Sequence, residues 1–444
     1  MNTPICDFVR SYIEKNPVRL HMPGHKGENL LGFEAYDITE IKGADSLYEA
    51  SGIIKESEEN ASRLFGSYTY YSTEGSSLAI RAMLYLACLY SAEKGEKPLV
   101  LAGRNAHKVF VSSAALLDFD VEWLFSEIDD TYLSCRITPE AVERKLLSLN
   151  RKPVAVYLTS PDYLGNESDI SRIAEVCHKY GVLLLVDNAH GAYLKFLPES
   201  RHPIDMGADI CCDSAHKTLP VLTGGAYLHI AESAPEIFKE RAKDSLNLFG
   251  STSPSYLILQ SLDAVNAYID NSYKKDLTEM VVKISDLKDK LILNGYNLIG
   301  SEELKITIET KSYGYTGYEF ASVLEENGLV CEFSDPDYVV FMFAPQMKEH
   351  LAMVSEMLLS VDKKQPITEK SPKITLPKKA VEIRQAYFSR TQTVKVEESC
   401  GRIFASALVG CPPAVPIVVS GEVITSEAVE CFKYYGIDTC IVLS

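Results

Sequence analysis

The sequence contains no run of about 18 uncharged apolar residues, the length a membrane-spanning helix requires. Its start, MNTPICDFVRSYIEKN, lacks the apolar centre of a signal peptide, so a cytoplasmic protein without membrane association is expected. Basic residues are in deficit. With 44 Lys and Arg against 61 Asp and Glu, the net charge of −17 leaves no basic footprint for nucleic acid, whereas a cationic small molecule remains compatible. No CxxC pair occurs among the 11 cysteines, and Cys211 and Cys212 are adjacent, so neither a disulfide framework nor a structural zinc site is expected. A Walker phosphate loop and a strand-flanked GxGxxG are also missing, which removes the usual nucleotide and dinucleotide signatures.

Two weaker patterns fail on inspection. His21 and His25 have the spacing of helical zinc ligands, but Pro23 and Gly24 between them oppose a helix. Ser214 to Lys217 matches SxxK of acyl-transferring hydrolases, yet no KTG or SDN companion exists.

What remains is an ordinary globular composition, 46% hydrophobic and 24% charged. A chain of 444 residues predicts about three folding units, or one large α/β unit with attachments. From about residue 50 to 230, amphipathic helical stretches alternate with short apolar runs, the rhythm of a mainly parallel sheet. PLVLAG, VAVYLTS, VLLLVD and ADICCDS read as strands covered by helices on both faces. Asp169 before ISRIAEVCHKY and Gly181 after it mark a helix start and stop. After Ser255 the apolar spacing predicts one or two long helices, and from Leu304 shorter elements follow a strand-helix-strand-helix order. Residues 362–379, rich in Lys and Pro, read as an exposed linker.

Ligands of such sheets bind outside the carboxyl ends of the strands. Four strand ends there carry polar residues: RNAHK (Arg104–Lys108), SPDYLG (Ser160–Gly165), DNAH (Asp187–His190) and SAHK (Ser214–Lys217). A fifth place is STEGSS, where Gly75, Ser76 and Ser77 open a helix; this is either ordinary capping or a cup for a phosphate. Asp187 is either a turn cap or a counter-ion for a cationic ring nitrogen. Lys217 is either solvated or a Schiff-base nucleophile with a depressed pKa.

In this order, HMPGHKG, DITE, TEGSS, RNAHK, TSPDYLGNESDI, VDNAHGAY, DSAHKTL, STSPSY and GRIFASALVGCPPAVPIVVSGEVIT resemble the bacterial Orn/Lys/Arg decarboxylases. These are pyridoxal 5'-phosphate (PLP) enzymes of the aspartate-aminotransferase-like fold type I. The likeness is to the short branch, without the amino-terminal wing domain. It implies an α/β fold with a PLP-dependent transferase-like large domain, a small α+β domain and a C-terminal decarboxylase-type domain. The expected division is an N-terminal segment (1–50), the large domain (51–295), the small domain (296–362), a linker (363–379) and the C-terminal domain (380–444).

The resemblance makes Lys217 the Schiff-base lysine and Asp187 the partner of the pyridine nitrogen. It places His107 and Ala189 on the two faces of the ring, and Gly75, Ser76 and Ser77 around the phosphate. Ser214 adds a hydroxyl, and His216 contacts the cofactor or returns a proton to the substrate. Thr252 reaches the phosphate from a neighbouring chain, which implies at least a homodimer. Glu422 is positioned to pair with the distal cation of a basic amino acid. The implied reaction is decarboxylation, a step of polyamine biosynthesis, with arginine favoured and lysine or ornithine open. No metal is implied. The family's usual YPPGIP is here CPPAVP (Cys411–Pro416), and its DEAHGAH is DNAHGAY, with Asn188 and Tyr193. Another fold type I reaction, such as transamination or β-elimination, and a non-catalytic PLP-binding homologue are the alternatives.

Overall fold

All four apolar runs form strands. The computed structural model describes residues 1–128, 131–373, 377–405 and 414–444. In chain order the first seven strands are β1 (Tyr68–Ser72), β2 (Leu99–Gly103), β3 (Asp120–Leu124), β4 (Ala155–Thr159), β5 (Leu183–Asp187), β6 (Ile210–Asp213) and β7 (Ala226–Ile230). Every residue of β2, β5, β6 and β7 is buried, as continuous apolar runs require. The chain is a mixed α/β protein with a large, mainly parallel sheet. Three of these strands escape the sequence pattern for physical reasons. β1 (YTYYS) is tyrosine-rich, β3 (DVEWL) carries two acids, and β7 follows a pair of glycines.

The contacts divide the chain into two compact units, each built from two separate stretches. The first comprises Met1–Lys94 and Leu183–Thr278. Its strands run β1-β7-β6-β5, with β5 and β6 parallel and β7 antiparallel to both β6 and β1. The helix Gly75–Glu93 packs on β6 and β7, and its Leu78, Ala79, Ala82 and Met83 are buried. The N-terminal helix Pro4–Glu14 has no cap from its own Thr3 side chain; instead Asp263 accepts from the Ile5 and Cys6 amides at 3.0 and 2.9 Å. Burial and the Asp263 charge push the Cys6 thiol up to about 12, so it is an inert buried group. The helix Tyr256–Tyr268 continues through a π-helical turn, Ile269–Tyr273, into Lys274–Leu293, giving the two long helices the spacing predicts.

The second unit comprises Gly95–Val182 and Glu279–Ser444. Strand β2 lies between β4 and β3, parallel to both. Asp169 caps the helix Ile170–Lys179 by accepting from Arg172 N at 3.1 Å, and Gly181 ends it at φ +63°. A four-stranded antiparallel sheet follows, ordered β10 (Phe333–Ser334), β11 (Tyr338–Met342), β9 (Lys305–Glu309) and β8 (Asn297–Ile299). The sequence shows β9 and β11; two- and three-residue strands leave too little pattern for β10 and β8. A two-stranded antiparallel sheet of β12 (Thr391–Lys395) and β13 (Thr439–Leu443) packs with the helix Ser426–Tyr434 around Phe404, Ile424 and Phe432. The Lys- and Pro-rich stretch is not free along its whole length: Lys364 N donates to Tyr313 O at 3.1 Å, and Ile367 N to Lys311 O at 2.9 Å. The amines of Lys363 and Lys364 sit over the rings of Tyr313 and Tyr315.

Asp335, in the turn joining β10 and β11, gives a pH test of this unit. Its Oδ1 accepts from Asp337 N and Tyr338 N, both at 2.7 Å, while its buried Oδ2 has no hydrogen-bond partner among the described residues. Burial lifts this carboxyl to about 7. The folded state therefore holds the proton more tightly than the unfolded chain. The stability present below about pH 4 is lost as pH rises through 7. Asp335→Asn keeps an acceptor for the two amides and removes the ionisation. It should stabilise the protein by on the order of 4 kcal/mol at pH 8, by less than half of that at pH 5 and by little at pH 3, read as urea midpoints. An equal effect at every pH would show that ionisation is not the cause.

Candidate active site

Asp187 ends β5, and Lys217 follows β6, which lies beside β5 in parallel register with Asp187 opposite Cys212. Both residues therefore leave the same carboxyl edge of neighbouring strands. Asp187 is buried; its Oδ1 accepts from Ala189 N at 3.2 Å and lies 3.7 Å from Cys212 Sγ. Burial and the adjacent Asp187 charge keep the Cys212 thiol well above its ordinary range.

The short helix Ala215–Thr218 turns Lys217 back from the strand end. Its Nζ lies 3.0 Å from His190 Nε2. His190 belongs to the DNAH strand end but has no assigned role in the sequence; only its place beside Asp187 signals it. His216 hydrogen-bonds through Nδ1 to Gly225 O at 3.0 Å, a contact that fixes its ring.

Gly75, at φ +71°, opens the helix Gly75–Glu93, and a Cβ added there would meet nothing within 4 Å. Glu74 gives that helix no side-chain cap. Gly75 N donates to Gly224 O at 2.7 Å, and Ser214 Oγ lies 2.7 Å from Ser76 Oγ. An open cradle, serine hydroxyls and the positive end of a 19-residue helix form a donor set that fits a phosphate. A carboxylate and an amine at one sheet edge fit the other end of PLP. Ser77 is half-buried on the same first turn, Ala189 is buried, and Thr252 is exposed in the segment before the helix Tyr256–Tyr268.

Asn188 and Tyr193, the two departures in DNAHGAY, have internal roles. Asn188 Nδ2 donates to Asp213 Oδ1 at 2.6 Å, and Tyr193 is fully buried. The turn also requires Gly191, where a Cβ would lie 2.0 Å from Asn188 Oδ1.

In the second unit, His107 caps the helix Lys108–Leu117, its Nδ1 accepting from Val109 N at 3.2 Å. Arg104 of the same motif donates to Pro416 O, Ile417 O and Glu422 Oε2, each at 3.0 Å. Glu422 Oε2 also accepts from Val419 N at 2.6 Å. Burial raises the Glu422 pKa, while Arg104 opposes that shift. The expected substrate cation thus has a competitor inside the chain, a pairing that 318 residues of separation hide from local pattern. Of CPPAVP, Cys411–Pro413 lie outside the described residues. Ala414 stands where the family's usual motif has glycine and adopts φ +58°, a left-handed conformation costly for alanine. Ala414→Gly should raise stability by about 1 kcal/mol in chemical denaturation. No change would mean that this backbone is unstrained.

Residues 3–303 match the Orn/Lys/Arg decarboxylase major domain, and residues 364–438 match the C-terminal domain of the same family. The Bacillus subtilis protein YaaO, itself uncharacterized, is 31% identical over 97% of this chain and 93% of its own length. The B. subtilis arginine decarboxylase is 29% identical over 96% and 92%. Among solved structures, the Francisella novicida lysine decarboxylase superposes with a TM-score of 0.79 at 19% identity, covering 99% of this chain and 79% of that one. The Escherichia coli constitutive lysine decarboxylase gives 0.77 at 18%, covering 100% and 82%. No helix among the described residues is long and apolar enough to cross a membrane. With both family domains matched in order along one chain, and the lysine and aspartate of its motifs brought to one sheet edge, the protein belongs to the Orn/Lys/Arg decarboxylase family.

Proposed function

We propose that this protein is a PLP-dependent decarboxylase of a basic amino acid, with arginine the favoured substrate, acting as a homodimer or larger homo-oligomer. The observation that carries this reading is the common edge from which Asp187 and Lys217 emerge on hydrogen-bonded parallel strands. The relatives named arginine decarboxylase support the choice of substrate.

Bound PLP supplies an aldehyde that condenses with amines and a ring that takes up the electron pair released when the Cα–carboxylate bond breaks. Asp187 holds a proton on the ring nitrogen. Ser76, Ser77, Ser214 and the amides after Gly75 would bind the phosphate, with Thr252 contributed by the partner subunit. Ala189, buried after Asp187, would cover one face of the ring, and the resemblance gives His107 the other. Lys217 supplies the amine, and His190, 3.0 Å away, accepts its proton during condensation. His216, oriented by the Gly225 carbonyl, returns a proton to Cα after carbon dioxide leaves. Glu422 meets the substrate's distal cation only by exchanging with Arg104; otherwise their pair holds the C-terminal segment against Arg104.

The test is incubation of PLP-loaded protein with arginine, lysine and ornithine separately, measuring carbon dioxide and amine together. Equimolar carbon dioxide and amine from arginine is expected. A keto acid product, or a spectral change without carbon dioxide, would overturn the assignment.

His190 has its own test. In cofactor-free protein, His190→Ala should slow capture of added PLP at pH 7 by about 100-fold, and free imidazole should restore part of the rate. Equal capture rates would remove His190 from proton transfer.

A further inference from the structure

A second group of chemistry-bearing side chains occupies β6 and β7 on the face away from Cys212. Cys211 and Asp213 are two apart on β6 and share that face, and His229 is the cross-strand partner of Cys211 on β7. His202, from the loop before β6, brings Nε2 to 3.1 Å from Asp213 Oδ2 and 3.9 Å from Cys211 Sγ. His229 Nε2 also lies 3.1 Å from Asp213 Oδ2. All four side chains are completely buried. None has a part in the proposed reaction.

We propose that His202, Cys211 and Asp213 form a site for a zinc-class divalent cation, with His229 hydrogen-bonded to Asp213 beside it. One donor atom from each of His202, Cys211 and Asp213 lies within 4.8 Å of the others. A tetrahedral ion with bonds of about 2.0–2.3 Å sets its donors roughly 3.3–3.8 Å apart, close to this spacing. A thiol with an imidazole selects zinc, or cobalt in its place, over the oxygen-seeking magnesium and calcium. The outer contacts orient Asp213: His229, with Thr69 Oγ1 at 2.9 Å from its Nδ1, meets one oxygen, and Asn188 Nδ2 holds the other.

The proton balance is simple. Cys211 loses its S–H proton to solvent as the metal–sulfur bond forms, and the His202 imidazole binds through Nε2 with its proton on Nδ1. Thiolate and carboxylate then neutralise the dication, so the enclosed site carries no net charge. The ion would tie β6 and the loop bearing His202 together. The donors come from one strand and a loop, which is why no CxxC signature announces them.

Full-length protein produced in zinc-supplemented medium and purified without chelator should carry about one zinc per chain, falling below about 0.2 in Cys211→Ala and in His202→Ala. Protein produced with cobalt should show a thiolate-to-cobalt absorption band in the near ultraviolet. That band should vanish in Cys211→Ala and persist in Cys400→Ala, which changes an exposed cysteine. Wild-type protein with less than about 0.2 zinc per chain, both as purified and after refolding with zinc chloride, overturns the site and leaves a hydrogen-bonded His–Asp–His cluster. Zinc retained by Cys211→Ala overturns it equally. The wild-type cobalt spectrum decides the matter if the variants fail to fold.

Discussion

Replacing Lys217 by alanine should lower carbon dioxide release by about 10⁴-fold or more and remove the absorbance of covalently held PLP. The side chain is half-buried on a four-residue helix, so its loss creates little cavity and the fold should survive. Circular dichroism and the urea midpoint check that second half of the prediction. Lys217→Arg is the sharper control, because it keeps the cation beside His190 and lacks an amine able to condense. Turnover surviving either change would reject Lys217 as the nucleophile.

The second large effect is expected at Asp187. Asparagine there keeps an oxygen to accept from Ala189 N, so the turn after β5 should persist. The negative charge that holds a proton on the ring nitrogen would be lost, and with it the electron demand of the ring. We expect Asp187→Asn to capture PLP through Lys217 yet to lower kcat by about 10³-fold, with KM changed far less. This split separates an electronic role from a structural one, which would lower cofactor capture and kcat together. A kcat within about tenfold of wild type would remove Asp187 from the chemistry.

Much of this was legible from residue pattern, and the parts that were not share a cause. VLLLVD and ADICCDS announce β5 and β6 because strands buried on both faces must be continuously apolar, and the polar residues ending them mark the site. His190 lay inside a recognised motif, but its value is a distance to a residue 27 positions away that no spacing rule encodes. Arg104 with Glu422 and Asn188 with Asp213 are likewise contacts made by tertiary folding. The buried His202–Cys211–Asp213 group was hidden for the same reason: in sequence it is a scattered loop residue and two alternate positions of an ordinary core strand. The Lys- and Pro-rich stretch misled in the opposite direction, since backbone hydrogen bonds and ring contacts at Lys363, Lys364 and Ile367 hold part of what composition describes as loose.

The capping of Pro4–Glu14 by Asp263 has a consequence for biosynthesis. The carboxylate that satisfies the leading amides of this helix is made 258 residues after Ile5. At about 5–20 residues per second, roughly 13–50 s of translation separate the two. During that interval the apolar face of the nascent helix, with Ile5 and Val9, lacks its permanent neighbours and is a natural client for a chaperone.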